Sequence, residues 1–233
     1  MRRRVLGVLL AVGNLPGAAW ADPLIGLLGL PTDAEAGPCL SLQADEIPLY
    51  AQPQAGPAIG ALRPDASAAG DGCRDPRVAV LVDGGRIDGE LPLREIGYEA
   101  PAAIVLEARP PWYRIRLADG SAWVRVDDAE RFASLHRLLV DGLAYVAIAP
   151  DAPLRSTADV ERPDPASVAW LQFDDPVRVL DSREIDGRLW LKVERLSDSF
   201  CETGEEPDAV ATGWLPAHDA SGEPLIWFYS RGC

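Results

Sequence analysis

Two tryptophan-led runs hold the side chains best suited to chemistry in this chain, Trp112-Tyr113-Arg114-Ile115-Arg116-Leu117 and Trp190-Leu191-Lys192-Val193-Glu194. Polar and apolar residues alternate in both, so each reads as a strand with one buried face. With Tyr113, Ile115 and Leu117 turned to a core, Trp112, Arg114 and Arg116 share the opposite face, and Trp190 stands beside Lys192 and Glu194 in the same register. An indole next to guanidinium groups suits recognition rather than bond breaking. Trp112, Arg114, Arg116, Trp190 and Lys192 are therefore the candidate binding residues, with an anionic group of a partner drawn to the two arginines. The competing expectation is that an inserted loop or the other repeat covers these tryptophans, because tryptophan is highly buried on average.

Catalysis has less to work with. His136 and His218 are the two histidines of the chain. A zinc site takes three or more protein ligands, with histidine or cysteine at tight spacing, and no such cluster occurs. The acids Asp198, Glu202, Glu205, Glu206 and Asp208 lack the alternating Asp/Asn ligands, turn glycine and later glutamate of a calcium loop, so they read as a solvated loop. His218-Asp219 could form half of a triad, but no Gly-x-Ser-x-Gly elbow accompanies it. The expectation is a protein that is not an enzyme and uses no metal and no cofactor.

The N-terminus bounds where such a protein works. Arg2-Arg3-Arg4, the apolar run Val5 to Leu15, and Ala19-Trp20-Ala21 before Asp22 read as a cleavable leader over residues 1–21, cut after Ala21. That apolar run is shorter than a membrane span and no later stretch of spanning length lacks charge, so the chain is expected not to be membrane-embedded. Location in the periplasm or secretion follows. The three leader arginines leave without any acid, taking the formal net charge from −14 to about −17. This balance opposes nucleic-acid binding, which needs phosphates neutralised by Lys and Arg.

The elements that must position the candidate residues come in two copies. Ser121-Ala122-Trp123-Val124 closes the first and Thr212-Gly213-Trp214-Leu215 the second, with Trp123 and Trp214 expected as closing core residues. Pro48-Leu49-Tyr50 and Pro153-Leu154-Arg155 open them. Asp119-Gly120 signals a hairpin, because a tight turn of the primed type needs positive φ. Alternation and breakers predict strands at 47–51, 58–63, 77–83, 101–108, 112–117 and 121–126. A second set is predicted at 143–149, 153–156, 168–173, 176–182, 188–195, 212–215 and 225–229. Asp127-Asp128 offers an N-cap for a short helix or helical turn over 128–138. The expected organisation is a lead-in segment 22–46, a first module 47–127, a linking helix or turn 128–142 and a second module 143–233. No Ser/Gly-rich linker separates the modules, so they should pack together.

Cys39, Cys73, Cys201 and Cys233 in an exported chain predict two disulfides. Cys73 falls in the extra length between Pro48 and Trp112, and Cys201 in the extra length between Trp190 and Trp214. Cys39 precedes the first module and Cys233 ends the second. The matched placement predicts Cys39–Cys73 and Cys201–Cys233, each worth on the order of 3–4 kcal/mol in the chain-entropy picture.

Pro48-Leu49-Tyr50-Ala51 near a module start, with Trp112 through Val124 near its end, resembles the bacterial SH3-like domain. Residues 188–216 look like a diverged copy whose turn is replaced by the acidic insertion 197–211, and Gly213 through Cys233 resembles the ending of exported proteins of this type. The resemblance implies an all-β fold of two small SH3-like barrels packed in tandem with a short linking helix, and a binding rather than catalytic role. Such modules often accompany cell-wall hydrolases and contact peptidoglycan. The expected function is a non-catalytic binding or scaffolding protein of the bacterial cell envelope, with peptidoglycan or an envelope protein as partner. The alternatives are a cell-wall hydrolase or its accessory, and a structural or inhibitor-like protein that recognises another exported protein.

Overall fold

A computed structural model of the chain describes residues 22–30, 32–33, 41–42, 46–64, 78–82, 85–87, 91–98, 100–140, 142–158, 167–199 and 206–232. The expected leader and all four cysteines, with their proposed pairings, lie outside the described residues.

The architecture is all-β with one short helix. In chain order the strands are β1 (Gly26–Gly29), β2 (Thr32–Asp33), β3 (Ser41–Leu42), β4 (Ile47–Leu49), β5 (Gly60–Pro64), β6 (Val78–Val82), β7 (Gly85–Ile87), β8 (Leu93–Gly97), β9 (Ala100–Arg109), β10 (Trp112–Leu117), β11 (Gly120–Arg125) and β12 (Phe132–Ser134). The helix α1 (Leu135–Leu139) follows, then β13 (Ala144–Val146), β14 (Leu154–Arg155), β15 (Ser167–Ala169), β16 (Pro176–Ile185), β17 (Arg188–Leu196), β18 (Ala209–Pro216) and β19 (Ile226–Phe228). One sheet runs β11-β10-β9-β1-β12 with β8 also on β9, and another runs β15-β14-β18-β17-β16-β13-β19. A third, β4-β5-β6-β7, and the pair β2-β3 complete the set. As described, none of these sheets closes into a barrel.

The internal repeat is written in the pairing. The antiparallel meander β9-β10-β11 has its counterpart in β16-β17-β18. Beyond the meander, β9 takes β1 and then β12, just as β16 takes β13 and then β19. At the other edge Tyr50, one residue past β4, bridges to Trp123, and Arg155 of β14 stands opposite Trp214. Both Pro-Leu starts thus dock on the strand that carries the second tryptophan.

The expected primed turn lies elsewhere. Between β10 and β11 the positive φ falls on Gly120 alone, at +96°, while Ala118-Asp119 make the turn. Glycine there absorbs the reversal at the first position of β11, as in hairpins closed by a bulge. Two consecutive positive φ angles occur instead at Asp186 (51°) and Gly187 (72°), between β16 and β17.

The helix expected over 128–138 is interrupted. Asp128 does cap, accepting from the Glu130 N–H at 3.1 Å, but only for a single 3-10 turn, Ala129–Arg131. Residues 132–134 then pair with β1, and α1 starts afresh with Ser134 as its N-cap, accepting from the Arg137 N–H at 3.2 Å. The buried β1 backbone needs a second hydrogen-bonding partner, and a short isolated helix is too weak to keep those residues.

The segment 22–46, expected as a lead-in, supplies a central strand instead. β1 lies between β9 and β12, its Leu27 and Leu28 buried. A Cβ on Gly26 would collide with the Ala133 carbonyl oxygen and lie 2.7 Å from Phe132 Cε2, so only glycine lets β12 approach this closely. One core joins Leu24, Leu27, Ala102 and Ile104 to Leu135 and Leu139 of α1 and to Val146, Val179, Leu191, Val193 and Ile226 of the second sheet. Another gathers Leu28, Leu49, Leu62, Val105, Tyr113, Ile115 and Val124. No helix among the described residues is long and apolar enough to cross a membrane.

Candidate functional site

Alternation on β10 holds: Tyr113 and Ile115 are fully buried in the core, and Trp112, Arg114 and Arg116 lie on the other face. That face is already engaged within the chain. Trp112 meets Tyr50 edge-on, with ring centroids 5.1 Å apart. Arg114 pairs with Asp22 at 2.7 Å and with Glu107 at 3.3 Å, and each carboxylate raises its affinity for the proton. Arg116 pairs with Glu223, which also receives Arg94 at 2.7 Å. The expected pair of anion-seeking cations is thus neutralised internally, and Arg116 ties the first sheet to the loop before β19.

The second copy repeats the arrangement position by position. Trp112 stands opposite Arg109 in register, and Trp190 opposite Arg183. Arg114 faces Glu107 as Lys192 faces Asp181. The Arg109 guanidinium lies over Trp123 at 5.5 Å and that of Arg183 over Trp214 at 4.9 Å. Arg109 bonds Glu107 at 2.5 Å and Arg183 bonds Asp181 at 3.4 Å. Each outer face is therefore an acid-arginine-tryptophan ladder. Trp190 is only 2% exposed, held with Trp214 and Ala158 in a small cluster of its own, with Arg155 over its ring at 5.4 Å. Trp214, expected to close the core, sits in this separate cluster, and Trp123 lies by register on the outer face of β11. An arginine laid on an indole hides apolar surface while keeping its charged head in water.

An open cleft does form where the two halves meet. It measures about 470 Å3 and is lined by Arg94 and Glu95 of β8, Tyr145 of β13, and residues 227–232. Tyr145 and Tyr229 lie 4.8 Å apart, and Arg94 covers Trp227 at 4.5 Å. At the rim Arg231 forks onto Glu95 at 2.8 and 2.5 Å, and Ser230 adds a bond of 3.3 Å to the same carboxylate. Those bonds hold the Glu95 carboxyl below the usual carboxylate range. Aromatic walls with fixed polar groups at the rim are the make-up of a binding cleft. The strand assignment at 225–229 foreshadowed one wall. The other, β8, has no alternation and was missed.

Both histidines hold elements in place. His136 Nδ1 lies 2.8 Å from Ser182 Oγ, tying α1 to β16. His218 Nε2 donates to the Leu24 carbonyl at 2.6 Å, and the Leu24 N–H donates to Gly222 O at 3.0 Å. Asp219 accepts instead from Ser221 Oγ at 2.7 Å and from the Ser221 and Glu223 N–H groups at 2.8 and 3.0 Å. Burial would raise the Asp219 pKa, but these bonds outweigh it and lower it. The half-triad suggested by His218-Asp219 is thus split, its base directed at a backbone carbonyl.

Burial also pushes His218 below its ordinary value of 6.5, against the upward pull of Leu24 O, Asp219 and Glu223. The unfolded chain then binds the proton first, so the stability due to neutral His218 is present above about pH 6.5 and is lost as pH falls towards the folded-state value. Unfolding midpoints of the parent should fall between pH 7 and pH 5. In His218→Asn, whose amide can still donate to Leu24, that part of the decline should vanish, and an unchanged decline would refute the assignment.

Compared with known proteins, the chain matches no family model, no curated sequence and no solved structure.

Proposed function

We propose that the protein is a non-catalytic binding or scaffolding protein of the bacterial cell envelope, built from two SH3-like modules, that takes its ligand in the cleft between them. One observation carries this reading: both halves contribute to the cleft, Arg94 and Glu95 from one side, Tyr145 and Tyr229 from the other. The duplicated strand order supports the SH3-like part, since each half has a three-stranded meander continued beyond its first strand by two further strands in the same order, with a Pro-Leu start bridging to its last strand. The outer tryptophan ladders serve as packing, so a ligand is better sought at the seam than on Trp112, Arg114 and Arg116. Peptidoglycan or an exported protein remains the partner class, and export with leader removal is part of the proposal.

Co-sedimentation with purified peptidoglycan sacculi and pull-down from an envelope extract test it. Tyr145→Leu with Tyr229→Leu should lower retention on whichever matrix holds the parent by about tenfold or more, on the order of two aromatic contacts. Trp112→Ala should leave retention within about twofold. Retention unmoved by the double variant would move the site elsewhere. Release of muropeptides, or labelling of Ser182 by a fluorophosphonate, would favour the hydrolase alternative, given the His136–Ser182 contact.

A further inference from the structure

Of the five residues that the sequence marks for binding, Lys192 alone is left without a partner inside the chain. It is also the single lysine of the sequence. Half-buried on β17, it stands in register between Trp214 of β18 and Asp181 of β16. Arg114 holds the same place in the first copy, between Trp123 and Glu107.

The first copy shows what this place binds. Besides the cross-strand Glu107 at 3.3 Å, Arg114 takes the Asp22 carboxylate at 2.7 Å from the segment that leads into β1. In the second copy β13 stands where β1 does, and the helix ahead of it, α1, reads Leu-His-Arg-Leu-Leu and holds no acid. Lys192 loses the cross-strand acid as well. Asp181 is one methylene shorter than Glu107, and its two oxygens accept from the Ser182 N–H at 2.9 Å and from Arg183 Nε at 3.4 Å. Among the described residues the Lys192 ammonium thus has no ion-pair partner. An ammonium offers three donors and accepts nothing, and its bonds to a carboxylate are of the stronger, charge-assisted kind.

We propose that Lys192 is an open carboxylate-binding site on the outer face of the second copy, taking from an acidic peptide of a partner the group that Asp22 supplies to Arg114 within the chain. The occupant is a peptide because the group seated at the equivalent place is itself a side chain on an adjoining stretch of backbone. Lys192 does not line the seam cleft, so this is a second site, independent of the first.

Protein carrying 13C-labelled lysine gives one side-chain signal set, which reports this place alone. It is titrated with acetyl-Asp-Pro-Leu-Ile-amide, a copy of residues 22–25, and with the Asn form of the same peptide, which lacks the carboxylate. The Asp peptide should shift the Lys192 ε-methylene resonance saturably, and the Asn peptide should not. In Lys192→Gln, binding of the Asp peptide, followed on the amide signals of β17 and β18, should weaken about threefold or more, the worth of a favourable ion pair near the surface. Lys192→Arg keeps the charge and should stay within about twofold of the parent. Tyr145→Leu with Tyr229→Leu should leave this binding unmoved, which separates it from the seam site. A Lys192 resonance that moves equally with both peptides, or with neither up to about 10 mM, overturns the proposal. An affinity for the Asp peptide unchanged in Lys192→Gln, or lost in the double tyrosine variant, overturns it too.

Discussion

Trp190→Ala should cost about 3–5 kcal/mol of folding stability, the range for a large aromatic removed from a packed site. Trp190 lies on the face away from the main core, yet it is almost wholly buried among Trp214, Ala158 and the Arg155 guanidinium. A loss of this size is a large part of the roughly 5–15 kcal/mol by which folded domains outweigh their unfolded chains. Urea unfolding reads it as a lower midpoint at unchanged slope. Trp112→Ala, at the equivalent position of the first copy, should lose clearly less, because Trp112 is half-exposed and meets Tyr50 by one edge. Equal losses at the two positions would contradict the difference in burial. Trp190→Phe adds a finer check. The indole Nε1 has no hydrogen-bond partner among the described residues, so removing that N–H should offset part of the smaller ring's deficit.

Gly26→Val is expected to cost about 3 kcal/mol or more, beyond ordinary overpacking, because the new side chain meets backbone rather than a flexible tip. Its Cβ would press on the Ala133 carbonyl and the Ser134 Cα, displacing β1 from β12. Leu24 and Leu27 would leave one core and Leu28 the other. Gly29→Val, in the same strand, is the control: its nearest neighbour is the Arg131 carbonyl at 3.6 Å, an ordinary contact, so it should stay within about 1 kcal/mol. Thermal melts followed by circular dichroism separate the two. A Gly26→Val protein as stable as the Gly29→Val protein would mean that β1 and β12 do not approach as described.

The meanders were legible because their signal is local. Alternation alone marked 112–117, which is the observed extent of β10, and placed Tyr113 and Ile115 inward. β1 gave no such signal. Flanked by β9 and β12 and buried on both faces, with Leu27 in one core and Leu28 in the other, it reads Gly-Leu-Leu-Gly, a run without the period of a half-exposed strand. Asp186-Gly187 is the same kind of hairpin signal as Asp119-Gly120 and could have been read. What alternation cannot supply is the far partner. It put Arg114 and Arg116 on the outer face, but the acids that neutralise them, Asp22 and Glu223, lie 92 and 107 residues away. A face can be read from neighbours in sequence, whereas its cover depends on the tertiary fold.

The core shared by Leu24, Leu27, Ala102 and Ile104 with the strands of the second sheet changes what the duplication means. Repeats usually stay separable, so that one copy can be lost, swapped or fused elsewhere and still fold. Here a fragment ending near residue 142 would leave Ile104, Leu135 and Leu139 facing water, and one starting there would lack the leucines that complete its own interior. The smallest unit that can be inherited, transplanted or engineered is the pair, and a single copy cloned alone is an incomplete protein.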